Sequence, residues 1–260
     1  MSSPSWPGAR NLADLGGLPL ADGGRTVHGR VWRSAAREWM TNEGWHAARA
    51  AGLSSVVDLR NGVEEGRTRE HPVIDEAAWR GVEVVSAPTE DPDDPAFLEE
   101  CGPWLDHPRS WSPNMERYPE KFAVVFSAVA DAPGGVLVHC AGGRDRTGMV
   151  CSLLLLLAGV ETEAIVANYE SGFRGAASHR GHGLGYDPAT GEWTTGVGKD
   201  WSPAELDVGL ADRRPALEEW VNATDPPAYL AAAGLDGRRL ERIQDLLRPT
   251  RDSRPIAGAE

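Results

Sequence analysis

One ten-residue stretch decides how this chain folds: His139-Cys140-Ala141-Gly142-Gly143-Arg144-Asp145-Arg146-Thr147-Gly148. It follows a short run of apolar and β-branched residues, Gly135–Val138, and precedes a long apolar run, Met149–Ala158. The first run is typical of a buried strand and the second of a buried helix. The stretch therefore predicts a tight strand-to-helix loop with a cysteine at its beginning.

The residue types in this loop suit a doubly charged oxyanion. Successive backbone N–H groups in a tight loop form a concave anion site, and the following helix adds the positive end of its dipole. Gly142 and Gly143 accept the positive φ that such a turn requires. Arg146 can hold two oxygens with its planar guanidinium. We therefore predict a phosphate-binding loop composed of Ala141, Gly142, Gly143, Arg144, Asp145, Arg146 and Thr147.

The position of Cys140 predicts a nucleophile. The helix terminus and the nearby guanidinium groups favour the thiolate, which is the reactive form of cysteine. A thiolate beneath a bound phosphoryl group can attack phosphorus in line and form a thiophosphate intermediate. Arg146 would hold charge on the equatorial oxygens, and Thr147 could donate its hydroxyl to the sulfur as the intermediate breaks down. A buried structural cysteine is the alternative, and the complete string argues against it.

The string His139–Gly148 resembles the signature of the protein-tyrosine phosphatase superfamily: cysteine, five residues, arginine, then threonine or serine. Its ending is similar to the Lys-Asp-Arg-Thr-Gly of a bacterial and fungal family of tyrosine/serine phosphatases, which includes a secreted mycobacterial tyrosine and lipid phosphatase. Asn11–Gly17, Gly29–Ser34 and Val56–Arg60 resemble further motifs of that family in the same order. The resemblance implies a cysteine-dependent protein-tyrosine phosphatase that hydrolyses phosphomonoesters through Cys140, with dual specificity left open.

Two departures from the family pattern bear on the substrate class. Leu12-Ala13 stands where Phe-Arg is usual, and Arg144 stands where lysine is usual. In lipid-active relatives that lysine helps to bind inositol phosphates, so its replacement argues against phosphoinositide specificity. The alternatives to a protein-tyrosine phosphatase are a phosphoinositide phosphatase, a small-metabolite phosphatase and a rhodanese-like sulfurtransferase, which also uses a cysteine in an anion-binding loop. A phosphate-recognition module with a failed active site is disfavoured because Cys140 and Arg146 are both intact.

Leaving-group departure needs a proton from a carboxylic acid. The resemblance implies that Asp145 supplies it. Asp106 is the alternative, because other members of the superfamily use an aspartate on a mobile loop before the cysteine. Asp58 and Arg60 end a predicted strand. They either line the substrate pocket or form a plain ion pair at the end of the strand.

Short strands alternate with helices along the chain. The predicted strands are Val31–Arg33, Ser54–Leu59, Val82–Val85 and Gly135–His139, and the further predicted helices are Met40–Ala51, Met115–Ala130, Ala216–Val221 and Leu235–Leu247. The alternation predicts an α/β fold. The resemblance implies a cysteine-phosphatase-like, mostly parallel central sheet flanked by helices, with a lid-like insertion. We interpret residues 1–260 as a single catalytic domain, in which irregular segments 86–113 and 172–215 form lid or pocket-wall loops.

Composition narrows the partners. The formal charge of −13 argues against nucleic acid and against anionic membrane surfaces, and no apolar run is long enough for stable membrane insertion. The expected partner is a phosphorylated protein or a small phosphomonoester. Three cysteines suit neither a zinc site nor a disulfide framework, so we expect a cytoplasmic location, with unconventional secretion left open. No metal or organic cofactor is expected, because the thiolate and arginine handle the phosphate charge without one.

Overall fold

A five-stranded, mostly parallel sheet forms the centre of the protein in a computed structural model that describes residues 4–179, 184–187, 189–195 and 201–249. Its strands are β1 (Ala13–Asp14), β2 (Val31–Ser34), β3 (Leu53–Asp58), β4 (Glu83–Ser86) and β5 (Gly135–His139), in the order β1-β2-β5-β3-β4. Only β1 runs antiparallel to its neighbour. The predicted sheet class is confirmed, and each of the four predicted strands matches an observed strand to within one residue at either end.

The four parallel strands end at the same level. Ser34 pairs with His139, His139 pairs with Asp58, and Asp58 pairs with Ser86. The central strand β5 lies between β2 and β3. Cys140 therefore leaves the sheet in the middle of its carboxyl edge, where open α/β sheets place ligand sites.

Helices cover both faces of this sheet. They are α1 (Asn42–Ala50), α2 (Pro95–Cys101), α3 (Trp111–Arg117), α4 (Pro119–Asp131), α5 (Asp145–Ala158), α6 (Thr162–Ala177), α7 (Pro203–Ala223), α8 (Pro226–Ala232) and α9 (Gly237–Leu246). A separate antiparallel hairpin joins β6 (Leu184–Asp187) to β7 (Glu192–Thr195). None of the helices in the described part of the chain combines the length and the apolar character needed to cross a membrane.

The side chains of β5 show why the sheet is apolar on both faces. Val136 and Val138 pack into the larger core, which α4 and α5 also line. Leu137 points to the opposite face and joins a smaller core with Trp32 and Trp45. Because helices cover both faces, successive residues of this strand are all buried, as is typical of a parallel sheet.

The prediction of one helix over Met115–Ala130 is wrong. The chain turns out of helical geometry at Tyr118, where φ is −127° and ψ is 51°, and two helices, α3 and α4, meet there. Pro119 follows directly. The proline ring disfavours helical backbone in the preceding residue and offers no N–H for an intrahelical hydrogen bond.

The prediction that segments 86–113 and 172–215 are irregular is wrong for much of each. The first contains α2, which Phe97 and Cys101 anchor at 0% exposure. Residues 172–177 end α6 and residues 203–215 belong to α7, whereas residues 180–183, 188 and 196–200 lie outside the described part. Pro95 and Pro203 each open a helix, at a position where no N–H partner is needed. Prolines that resembled loop signals therefore mark helix starts.

Two adjacent valines in α4 test this packing. Val125 is fully buried in the larger core, whereas Val124 is 51% exposed. We expect Val125→Ala to lower the free energy of unfolding by about 2 kcal/mol, because two buried methyl groups are lost and a cavity remains. Val124→Ala should change it by less than about 0.5 kcal/mol. Urea unfolding of both variants measures the difference; equal effects would show that this face of α4 does not pack as described.

Candidate active site

The conformation of the loop between β5 and α5 requires a glycine at one of its positions. Cys140 lies at its beginning and is 3% exposed. Gly143 has a φ of 67°, in the left-handed region, and a Cβ on this residue would lie 2.4 Å from the carbonyl oxygen of Ser34. Glycine is therefore required there on two grounds, conformation and close approach of the β2 backbone.

Two side chains from the beginning of the chain hold the carbonyl groups of this loop. The amide nitrogen of Asn11 donates to the carbonyl oxygens of Gly142 and Gly143, both at 3.0 Å. The Nη2 of Arg33 donates to the same oxygen of Gly143 at 2.6 Å. Sequence reasoning included both residues in motifs that resemble the family but gave neither a role. The signal was their position in those motifs.

With the carbonyl groups held, the N–H groups of the loop are left for a ligand. The carbonyl of Ala141 is also engaged, because it accepts from the N–H of Ala36 at 3.0 Å. Within the described residues, no hydrogen bond is donated by the backbone N–H groups of residues 141–146. Together with the N-terminus of α5, these free donors form the concave anion site that the sequence predicts.

Arg146 is oriented by two carboxylates that sequence reasoning missed. Glu64 accepts hydrogen bonds from both terminal nitrogens of Arg146, one of them at 2.6 Å, and a Glu90 oxygen lies 3.4 Å from Nη1. Burial acts to lower the pKa of Arg146, but the nearby acids Glu90 and Glu64 raise it. The signal for Glu64 was the capping box that it forms with Asn61.

The pKa values of the two acids flanking Arg146 shift in opposite directions. Burial acts to raise the pKa of Glu64, but the hydrogen bonds and charge of Arg146 hold that pKa below its usual value. Burial raises the pKa of Glu90, and Arg146 only partly opposes it. Glu64 is therefore the charged partner of Arg146. Glu90 more readily keeps its proton.

Arg144 joins both candidate acids at the mouth of the site. Its Nε donates to Asp145 at 2.7 Å, and its Nη2 lies 3.4 Å from Asp106. Asp106 also accepts from the Nη2 of Arg213 at 2.9 Å. The ring of Phe173 lies beneath both guanidinium groups, 5.0 Å from that of Arg144 and 4.9 Å from that of Arg213. In this structure the guanidinium of Arg144 is therefore engaged by Asp145 and Asp106 rather than free for a phosphate.

Asp145 lies in an environment that raises its pKa. Burial raises the pKa of Asp145, the Arg144 guanidinium opposes that shift, and the negative charge of Asp106 adds to it. Its Oδ1 is buried without a hydrogen-bond partner among the described residues. Asp106, in contrast, lies between two guanidinium groups, 3.4 Å from that of Arg144 and 2.9 Å from that of Arg213.

Asp58 and Arg60 do not line an open pocket. They are 1% and 2% exposed, and Arg60 donates to Asp58 at 2.9 and 2.6 Å and to Glu38 at 2.8 Å. The structure therefore supports the ion-pair alternative, because the end of β3 is covered on all sides. His139 links this network to the loop: Nδ1 lies 3.1 Å from the carbonyl oxygen of Cys140, and Nε2 lies 3.5 Å from Asp58.

Thr147 lies in the first turn of α5. Its hydroxyl is fully buried and has no hydrogen-bond partner among the described residues. Donation of this hydroxyl to the sulfur of Cys140 during breakdown of the intermediate stays a prediction.

Comparisons with known proteins agree on one family. The sequence profile of the tyrosine phosphatase family matches residues 4–248. A predicted tyrosine-protein phosphatase of Cupriavidus necator is 34% identical over 197 residues, which cover 69% of this chain and 68% of the relative. The triple specificity protein phosphatase PtpB of Mycobacterium tuberculosis is 29% identical over 200 residues, covering 65% of this chain and 68% of PtpB. Among solved structures, P. aeruginosa TpbA matches 79% of this chain and 86% of its own at 15% identity and a TM-score of 0.34, which is too low to support an argument.

The buried network behind the loop yields a stability prediction. Arg60→Met should lower the free energy of unfolding by about 3–5 kcal/mol near pH 7, because two buried carboxylates lose their counter-charge. Arg37→Met is the matched control. Arg37 approaches the same two acids only at 3.7 and 3.8 Å and is partly exposed, so about 1 kcal/mol or less is expected.

The pH dependence of this effect has a defined sign. Although burial opposes them, Arg60 and its hydrogen bonds hold the pKa values of Asp58 and Glu38 below their ordinary values of 3.8 and 4.5. Their contribution to stability is therefore complete above those values and is lost as pH falls through the lowered pKa values. The deficit of Arg60→Met should shrink from pH 7 to pH 3.5 in urea unfolding. A deficit that is constant with pH would contradict the ion-pair explanation.

Proposed function

The chain belongs to the tyrosine phosphatase family and is a phosphoric monoester hydrolase, and on that premise we propose that Cys140 is the nucleophile that removes the phosphoryl group from phosphotyrosine. The observation that carries the proposal is the loop itself. Its carbonyl groups are held by other residues and its N–H groups are free, with the cysteine at the beginning of the loop and Arg146 oriented by Glu64. A dianionic phosphoryl group matches that set of donors.

The first chemical step is an in-line displacement. The thiolate of Cys140 forms a bond to phosphorus while the bond from phosphorus to the phenolic oxygen breaks. Charge on the three equatorial oxygens is held by the loop N–H groups and Arg146. The departing oxygen takes a proton, and we assign that proton to Asp145, whose pKa is raised by burial.

The second step regenerates the enzyme. Water attacks phosphorus, the sulfur–phosphorus bond breaks, and the electron pair returns to Cys140 as the thiolate. Asp145, now a carboxylate, takes the proton of the attacking water. Inorganic phosphate leaves, and Asp145 is again protonated for the next turnover.

We assign the described parts of segments 86–113 and 172–215 to the walls of the substrate site. Asp106 from the first and Phe173 and Arg213 from the second meet at Arg144. Because the side chains of Asp145 and Asp106 engage Arg144, we infer a preference for phosphomonoesters with one phosphate over headgroups with several. The match of the family profile to residues 4–248 supports a single catalytic domain. A nucleophilic thiol also suits a reducing compartment such as the cytoplasm.

Exchange of two cysteines tests the nucleophile. Cys140→Ser should reduce hydrolysis of para-nitrophenyl phosphate, measured with EDTA present, by about 10⁴-fold or more, because a hydroxyl is not ionised at neutral pH. Cys101→Ser is the matched control, since Cys101 is also buried and burial raises the pKa of its thiol to about 12. It should keep its activity. A folded, reduced wild type without activity would contradict the proposal, as would an active Cys140→Ser.

Leaving-group dependence tests the proton donor. Asp145→Asn should slow hydrolysis of phenyl phosphate by about 10²–10⁴-fold and hydrolysis of para-nitrophenyl phosphate far less. The reason is that phenolate, the poor leaving group, needs the proton, whereas para-nitrophenolate does not. With phenyl phosphate, the wild-type rate should fall as pH rises through the raised pKa of Asp145, and the variant should lack that fall. Asp106→Asn is the control and should affect both substrates alike. The reverse pattern would move the role to Asp106.

A further inference from the structure

A cavity of about 280 Å³ lies beside the phosphate loop but apart from the site described above. No residue from Cys140 to Arg146 lines it. Its walls come from the opening motif, from β2 and from α6, including Asn11, Arg33 and Asn168. Its volume is close to the lower limit for small-molecule sites, about 300 Å³, so it suits a ligand of only a few heavy atoms.

The charge of this cavity is opposite to that of the protein. The chain has 39 acidic residues against 26 lysines and arginines, but none of the ten described residues that line the cavity is acidic. The lining instead offers the guanidinium of Arg33 and the hydroxyl of Ser171, whereas the hydroxyl of Ser178 already donates to the carbonyl oxygen of Gly175 at 2.7 Å. Such a set of cationic and neutral donors suits an oxyanion.

Arg33 carries a buried charge without a carboxylate partner. It is 1% exposed, and no carboxylate of the described residues lies within ion-pair distance of it. Its hydrogen bonds go to neutral oxygens: the carbonyls of Gly143 and Asn168 and the side-chain oxygen of Asn168, the last at 2.8 Å. Its Nε is buried without any hydrogen-bond partner in the described part. A buried cation in this state gains most from an added anion.

Two glycines of α6 keep this arrangement open. A Cβ on Gly172 would lie 2.0 Å from Nη2 of Arg33, and a Cβ on Gly175 would lie 2.1 Å from Oδ1 of Asn11. Larger residues at either position would displace the side chains that hold the loop. The helix therefore approaches Arg33 closely while leaving unfilled volume at the cavity.

We propose that this cavity is a second oxyanion site, which binds inorganic phosphate or another ion of that size through the guanidinium of Arg33 and the hydroxyl of Ser171. A ligand there contacts Arg33, which also donates to Gly143 of the phosphate loop. Occupancy of the cavity therefore changes the groups that shape the catalytic loop, and the phosphate released by the enzyme is itself a candidate ligand.

Equilibrium dialysis with radiolabelled inorganic phosphate tests the site. The wild type should bind two ions per chain, and Arg146→Ala should retain one, the ion in the cavity. Asn168→Asp should also retain one, the ion at the catalytic loop. That substitution replaces the amide oxygen, 2.8 Å from Arg33, with a carboxylate of the same size and should weaken the cavity site by about tenfold or more. Asn168→Ser, which adds no charge, should still bind two.

Several outcomes would overturn the proposal. They are no ion retained by Arg146→Ala, two ions bound by Asn168→Asp at unchanged affinity, or equal loss in Asn168→Ser, which would show that the charge of Arg33 is not involved. Ser171→Asp with Ser171→Thr, which keeps the hydroxyl, as its control repeats the test at the exposed wall, and thermal unfolding checks that each variant is folded. The total of two ions rests on phosphate binding at the catalytic loop, whereas the ion that Arg146→Ala retains reports on the cavity alone.

A kinetic measurement tests the link to the loop, and it does rest on the proposed function. Inorganic phosphate should inhibit the wild type in a mixed manner, lowering kcat as well as raising KM, because one ion competes with substrate and the other does not. In Asn168→Asp the inhibition should become purely competitive. Purely competitive inhibition of the wild type would overturn the coupling.

Discussion

The structure depends on the capture of three loop carbonyl groups by donors from elsewhere in the chain. A peptide unit is planar and its N–H and C=O groups point in opposite directions, so fixing the carbonyl also fixes the N–H that follows it. Asn11 and Arg33 bind the carbonyls of Gly142 and Gly143, and the backbone of Ala36 binds that of Ala141. The N–H groups must then face the other way. This is the arrangement that a phosphoryl dianion requires.

The same constraint explains the surrounding architecture. Arg33 lies near the end of β2, which is paired directly with β5. The guanidinium of Arg33 therefore lies beside the loop that follows β5. Gly172 permits α6 to approach Arg33, and Gly143 permits the loop to pass against the β2 backbone. Beyond the loop, carboxylates are divided by environment: Glu64 is kept charged by Arg146, whereas burial favours the protonated forms of Glu90 and Asp145. An acidic chain thus holds an anion site by placing each nearby carboxyl group beside an arginine or in an environment that raises its pKa.

The features that could be predicted depend on residues close together in the sequence, whereas the others depend on contacts between residues far apart in the sequence. The strands and the loop from Cys140 to Arg146 follow from local patterns, because period, glycine placement and helix start signals act over a few residues. For Arg60 the sequence left two roles open, lining the substrate pocket or forming an ion pair. Only the burial of the sheet edge in the folded protein decides between them. No helix was predicted over α6, although Ile165, Val166 and Tyr169 are buried at helical spacing. The glycines of α6 resemble loop signals. They are instead required because the helix packs closely against residues far away in the sequence, Arg33 and Asn11.

The long separation between Asn11 and the loop has a consequence for how the protein folds. The two hydrogen bonds that Asn11 makes to Gly142 and Gly143 span 131 and 132 residues. Contacts of such high sequence separation require closure of a long chain segment, which delays them relative to local helices. During synthesis the first strands wait for β5 and its loop to emerge before the edge of the sheet can be completed. A nascent or partly folded chain therefore carries the cysteine without the anion site, and phosphate affinity reports that the two distant parts of the chain have met.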